Sequence, residues 1–366
     1  MEYPHLFSPI QFNQLMLRNR IVAAPIGELY EPKARGGAGL VVCGHTIVEP
    51  FRSSFASGEE PTAFFKYEVE KTRQKIRACH RYGARASIEI FHAGQYARVK
   101  DHAWGPCSFL REDGIEVKAL DRAEMERIAG LFAEVSRQAK ALGFDAIFLH
   151  FGHGWLAAQF LSPLFNHRTD EYGGSLPNRA RFPLLILRKI REAVGADFPV
   201  DMRISGEECV PGSIRFEDTL AFIQMAKPYI DGVQISAGLD INHEGNVHMA
   251  TTNFKEHMPN LKWARTVKKT CPQLVVSVVG AIMNPSEAEQ ILANGDVDLV
   301  AFGRAFLADP NWPNKAREGR SGDIVPCLRC LQCYHIATNR QNVGCSVNPR
   351  YGNETLIPER MIPAEQ

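Results

Sequence analysis

Several things are missing from this sequence, and each absence narrows what the chain can be. No run of eighteen apolar residues occurs, so no transmembrane helix is expected. Charge of one sign is also lacking: 42 Lys and Arg stand against 41 Asp and Glu, for a net charge of +1. Such a balance attracts neither nucleic acid nor an anionic membrane, and neither partner is expected. The opening residues Met1-Glu2-Tyr3-Pro4-His5 hold no basic segment and no apolar one, so no secretory signal is expected. Low-complexity segments and short internal repeats are absent too. Cys43, Cys79, Cys107, Cys209 and Cys271 stand singly and are odd in number. They form no disulfide framework and fit a reducing cytoplasm. The hydrophobic fraction of 45% is ordinary for a globular chain, and 366 residues allow one large domain or two ordinary ones.

The remaining four of the nine cysteines fall within nineteen residues. Cys327, Cys330 and Cys333 are each two residues apart, and Cys345 follows after eleven more. Three thiolates at this spacing, with a fourth returning from a loop, suit a [4Fe–4S] cluster. A Cys₄ zinc site is the alternative, although zinc usually shows two CxxC pairs. An iron–sulfur cluster moves single electrons, so the preceding residues should hold a group that exchanges them.

Those residues alternate short β-branched apolar runs with longer helix-patterned segments. Strands are expected at Asn19–Pro25, Ala38–Gly44, Ala84–Phe91, Ala146–His150, Val200–Ile204, Gly232–Ser236, Leu274–Val279 and Val297–Phe302. Helices are expected near Phe64–Tyr82, Arg122–Leu142, Asn178–Val194, Phe216–Tyr229, Asn260–Thr270 and Pro285–Ala293. Eight continuous apolar strands, nearly all followed by helices, indicate a parallel sheet closed as a (β/α)₈ TIM barrel. An open doubly wound sheet is the runner-up, but no GxGxxG follows the first strand.

Chemistry in such a barrel sits at the C-terminal strand ends. Those ends carry Pro25-Ile26-Gly27, Gly44, Glu89 to His92, His150 to His153, Arg203, Ser236 to His243, Gly280 and Gly303-Arg304. Glycine-bearing turns after strands seven and eight are a common phosphate site, and Arg304 adds a charge-assisted contact. FMN, a redox cofactor with one phosphate, satisfies both the barrel and the cluster.

The chain also resembles the Old Yellow Enzyme family of flavin barrels. The resemblance is strongest in Phe160-Leu161-Ser162-Pro163-Leu164-Phe165-Asn166-His167-Arg168-Thr169-Asp170-Glu171-Tyr172-Gly173-Gly174-Ser175, and it continues in Asn178-Arg179 and Arg181-Phe182. Leu6-Phe7-Ser8-Pro9, Phe91-His92-Ala93-Gly94 and Phe302-Gly303-Arg304 add to it. With the cysteines it looks like the iron–sulfur subgroup that contains 2,4-dienoyl-CoA reductase, 2-enoate reductase and trimethylamine dehydrogenase. The resemblance implies hydride transfer from FMN to an activated C=C bond of an α,β-unsaturated substrate. It implies that Ala24, Pro25, Ile26, Gly27 and Gly44 line the flavin, with Glu89 at its pyrimidine edge and Arg203 beside N1. Gly280, Ala281, Gly303 and Arg304 would bind the phosphate, and His150 and His153 the substrate oxygen. Relatives with the cluster take electrons from NAD(P)H through FAD in further C-terminal domains. None is recognisable before Gln366, so a separate NAD(P)H/FAD reductase partner is expected, or a fragment. A homo-oligomer is also expected.

Four positions depart from the family pattern. Glu89 stands where Gln is usual, and a carboxylate there disfavours anionic reduced flavin unless burial protonates it. Trp155 stands where a Tyr proton donor is usual, and indole is too weak an acid; His243 is the alternative donor. Gly27 stands where a redox-tuning Thr or Cys is usual. Only Glu28–Arg35 separate Gly27 from Gly36-Gly37, which predicts an abnormally short first βα unit and either a site open on that side or a trimmed version of the chain. The expected division is a barrel over residues 1–320, a cluster segment over 321–352 and a tail over 353–366. An ene-reductase is the leading function. An amine dehydrogenase or N-demethylase, and a non-catalytic electron-transfer subunit, are the alternatives.

Overall fold

The computed structural model describes residues 2–49, 52–54, 69–240, 242–338 and 343–357. Eight strands form one closed barrel: β1 (Ile21–Ala23), β2 (Leu40–Ile47), β3 (Arg85–Phe91), β4 (Ala146–His150), β5 (Val200–Ser205), β6 (Gly232–Ser236), β7 (Val275–Val279) and β8 (Leu299–Phe302). All neighbours are parallel, and β8 pairs with β1 to close the ring. The helices that follow are α1 (Tyr30–Arg35), α2 (Val69–Arg81), α3 (Arg122–Leu142), α4 (Arg181–Val194), α5 (Phe216–Ala226), α6 (Leu261–Thr270), α7 (Pro285–Ala293) and α8 (Arg304–Ala308). The strands lie between an inner core and this outer ring of helices, which is why they read as continuous apolar runs.

Local chemistry sets the boundaries. Asp121 caps α3 by accepting from Glu124 N–H, and Gly143 ends it at φ 104°, a left-handed stop that suits glycine. Asn284 caps α7 in the same way, with Pro285 at its first turn. Strand edges shift by one to three residues from the apolar runs. The expected Asn178–Val194 helix divides into Leu176–Arg179 and α4. The first residues of the expected Phe64–Tyr82 helix, 64–68, lie outside the described residues.

A short antiparallel hairpin, Ile10–Phe12 with Leu15–Leu17, precedes the barrel and has no sequence counterpart above. Phe12, Leu15 and Leu17 pack with Val22, Leu40, Val42, Ala146, Phe148, Leu299 and Ala301. Gly232, at the start of β6, leaves the space that Phe12 occupies; a Cβ there would meet the ring at 2.9 Å. The hairpin therefore plugs the N-terminal end of the barrel, and chemistry is left to the other end.

The first βα unit is short, with a helix of six residues, yet it completes a parallel crossover. Sixteen residues separate Ala23 from Leu40, enough for a parallel crossover. They form the six-residue α1, whose Tyr30 and Lys33 are buried. The long family signature works as scaffold. Asn166 Nδ2 donates to Phe160 O and Tyr172 O, Arg168 to Pro106 O and Leu120 O, and Arg179 to Leu161 O. These bonds fix the segment that follows His153 and Trp155.

Candidate active site

At the open end, register brings one row of side chains to a single level. His150 on β4 pairs with Arg203 on β5, Arg203 with Gln234 on β6, and Gln234 with Ser277 on β7. Residues paired this way on parallel strands point to the same face. Among the described residues, Arg203 Nε, both amide atoms of Gln234 and Ser277 Oγ are buried without a hydrogen-bond partner. Each such atom costs about 1–3 kcal/mol. Three neighbouring side chains in this state mark a place for a polar ligand. Arg203 Nη2 donates to Ser236 Oγ at 3.2 Å, and burial pulls the guanidinium pKa below its ordinary value.

Two imidazoles stand beside the row. The rings of His150 and His153 are 4.8 Å apart and edge to face, and His153 Nε2 lies 2.8 Å from Ser236 Oγ. Burial first, and then Arg203, hold both pKa values well below 6.5, so both rings are neutral. Gly152 N–H donates to His150 Nδ1 at 3.4 Å, which leaves Nε2 to carry the proton and act as donor. His153 adopts φ 59°, a strained conformation of the kind held at functional sites. Trp155 is buried and meets Phe91 at 5.3 Å and His150 at 6.1 Å. His243 is exposed at the first position of the His243–Met249 helix, apart from this buried group.

The ends of β1, β2 and β3 form the opposite wall. A Cβ on Gly44 would lie 2.5 Å from Pro25 Cβ and 2.6 Å from Glu89 Oε2, so glycine is what lets these three strand ends meet. The β2–β3 register slips between Cys43 and Thr46, an irregularity that re-aims the backbone at the rim. Glu89 is buried, and desolvation outweighs Arg203 and His45 to push its pKa up to about 7. Lys33 Nζ, fully buried on α1, donates to Ile26 O at 2.6 Å, Gly27 O at 3.2 Å and Ala24 O at 3.3 Å. Tyr30 Oη donates to Gly44 O at 2.7 Å. The backbone around Ala24–Gly27 is thus held from behind by α1.

Gly280 (φ 129°) and Ala281 (φ 49°) turn the chain after β7, and Gly303 begins α8. Arg304 Nη2 donates to Thr251 O at 2.8 Å, while its buried Nη1 has no partner among the described residues. Arg304 also lines a cavity with all four clustered cysteines, Cys327, Cys330, Cys333 and Cys345. All four thiols are free. Arg329 and Leu331 take left-handed φ values of 52° and 61° on either side of Cys330, bending the loop around the cavity. Arg329 anchors it by donating to Lys255 O at 3.0 Å and Glu256 O at 3.2 Å. Among the described residues, no three His, Cys, Asp or Glu side chains converge on one ion position.

The sequence profile of the NADH:flavin oxidoreductase / NADH oxidase family matches residues 5–323. The chain belongs to this family. NADH oxidase of Thermoanaerobacter brockii is 33% identical, over 98% of this chain and 58% of the relative. Cinnamate reductase of Clostridium sporogenes is 29% identical (96% and 59%). N,N-dimethylglycine/sarcosine dehydrogenase of Chromohalobacter salexigens is 30% identical (100% and 56%). The solved complex of 2-naphthoyl-CoA reductase with 2-naphthoyl-CoA superposes with TM-score 0.88 at 26% identity, covering 96% of this chain and 58% of that one. The chain thus spans a little over half the length of these relatives. Membership of this FMN-dependent oxidoreductase family agrees with the barrel and with an unsatisfied polar row suited to a flavin. Lys33, Gln234 and Ser277 carry no motif that singles them out in the sequence.

Proposed function

We propose that the protein is an FMN- and [4Fe–4S]-dependent ene-reductase acting on a conjugated carbonyl compound. The observation that carries this reading is the row of unsatisfied polar atoms on Arg203, Gln234 and Ser277 beside two neutral, buried imidazoles. A flavin pyrimidine edge alternates donors and acceptors, which the Gln234 amide can match on both sides. Bound FMN supplies hydride chemistry at an activated C=C bond. Arg203 places positive charge at the ligand's edge and favours its reduced, negative form. His150 and His153 donate to the substrate oxygen and polarise the bond. Gly280, Ala281, Gly303 and the open Nη1 of Arg304 hold the phosphate. Trp155 shapes the pocket and gives no proton. His243 is the candidate acid for the α-carbon.

Cys327, Cys330, Cys333 and Cys345 hold the cluster, which supplies single-electron transfer. Four thiols around a cavity suit a polynuclear cluster, in which each binds its own iron. A zinc site usually shows two CxxC pairs, whereas this segment has three close cysteines and a fourth after eleven more residues. The names of the cinnamate and naphthoyl-CoA reductases support the substrate class. The dehydrogenase relative supports a second reading, amine oxidation.

Anaerobically purified protein separates these readings. The expected result is flavin absorption, about four irons and matching sulfide per chain, and reoxidation of the reduced protein by an enoate. Zinc in place of iron would overturn the cluster. Flavin reduction by a secondary or tertiary amine, with no response to enoates, would overturn the reductase.

A further inference from the structure

Position 27 is denied a side chain twice. Its φ of 66° disfavours any L residue, and a Cβ there would lie 2.6 Å from the Tyr351 hydroxyl oxygen and 2.9 Å from Leu307 Cδ2. Tyr351 comes from the cysteine segment, six residues beyond Cys345. It is only 6% exposed and packs with Leu29 and Leu307, while Ile26, Cys333 and Cys345 lie against the same cluster. Its backbone is fixed by Asn348: Tyr351 N–H donates to Asn348 O at 3.2 Å, and Asn348 Nδ2 donates to Leu307 O at 2.7 Å. Gly352 brings the turn within close reach of Val343 O. Among the described residues, nothing accepts from the Tyr351 hydroxyl. A rigidly held, nearly buried phenol thus fills the space that a residue-27 side chain would take, with its hydrogen-bonding group uncommitted.

We propose that Tyr351 is a positioning residue for the flavin: its hydroxyl, delivered by the cysteine segment, supplies the ring-edge hydrogen bond that Gly27 cannot. The inference rests on the proposed flavin site. A donor at the ring edge favours the reduced, more negative ring, so it raises the flavin's reduction potential. Because Tyr351 shares its apolar cluster with Cys333 and Cys345, the segment that holds the second redox group also sets the properties of the first.

The test compares wild type with Tyr351→Phe, both loaded with FMN. The readouts are FMN dissociation constant, visible spectrum and midpoint potential. The Phe variant keeps the ring and its apolar contacts, so its melting temperature should match wild type. Its flavin bands should shift, and its equilibrium constant for flavin reduction should fall about tenfold, or about 30 mV for a two-electron couple. Tyr351→Met, which also lacks the hydroxyl, should shift the potential in the same direction and covers the case of a poorly folded Phe variant. Flavin-loaded variants with unchanged spectrum and potential would overturn this inference and leave the proposed function standing. Wild-type protein that binds no FMN would overturn both.

Discussion

At the scale of single residues, the site depends on burial shifting charge states in opposite directions. Glu89 is a buried carboxyl whose pKa is pushed up to about 7, chiefly by desolvation, and burial does the same to Asp201 at the plugged end of the barrel and to Glu208. Between the ordinary value of 4.5 and about 7, the folded chain binds a proton at Glu89 that the unfolded chain has released. Folding is therefore favoured at the acid end of that window and loses ground as pH rises through 7. Glu89→Gln should remove this contribution, of order 1–3 kcal/mol. Urea unfolding of flavin-free protein at pH 5 and pH 8 checks it: the variant should show a flatter pH dependence than wild type. The two histidines behave in the opposite sense, since burial keeps them neutral throughout the physiological range. A pH–rate profile should show no limb from their protonation between about pH 6 and 8. Replacing either by Ala should lower kcat/KM about 10²–10³-fold, and Asn should restore part of the loss as a donor.

At the scale of elements, α1 is short because its task is local. Three carbonyls at the end of β1 converge on one buried ammonium, Lys33, whose pKa burial lowers to about 8. Lys33→Met should strand those carbonyls and cost about 3 kcal/mol or more in a thermal or urea melt, with weaker FMN binding. This arrangement also shows what the sequence could and could not reveal. Glu28–Arg35 read as a truncated connection because Lys33 looks like an ordinary surface lysine until the fold buries it. The row of Gln234 and Ser277 emerges only from β5–β7 register, which a single sequence does not encode visibly. The Ile10–Leu17 hairpin was hidden because its strands are only three residues long. By contrast, Asp121 and Gly143 bracket α3 with local cap chemistry, and the β4 and β6 runs are marked by their own apolar residues, so those boundaries were legible. His150, His153 and Arg203 were legible for a different reason: polar residues ending apolar strands are conspicuous.

For the whole molecule, two redox centres are proposed on one frame. Purified chain should oxidise NAD(P)H slowly by itself, while a chemical reductant of low potential should reduce it fully. Rapid turnover with NAD(P)H alone, measured by stopped-flow absorbance, would show that these residues take its electrons directly. Stripping iron by a chelator under oxidising conditions should loosen residues 327–335 in hydrogen exchange and leave protection of the barrel strands intact, because the barrel core does not include the cysteine loop. Among the described residues, no helix is long and apolar enough to cross a membrane.

The pairing of β8 with β1 has a further consequence. A ring has no last place, so whatever follows the eighth strand begins next to the first. Cys333, Cys345 and Tyr351 reach Ile26 and Gly27 through adjacency rather than through a long linker. Accretion of a new electron carrier at the tail of such a chain needs no evolved docking surface, since circular closure has already chosen its neighbour.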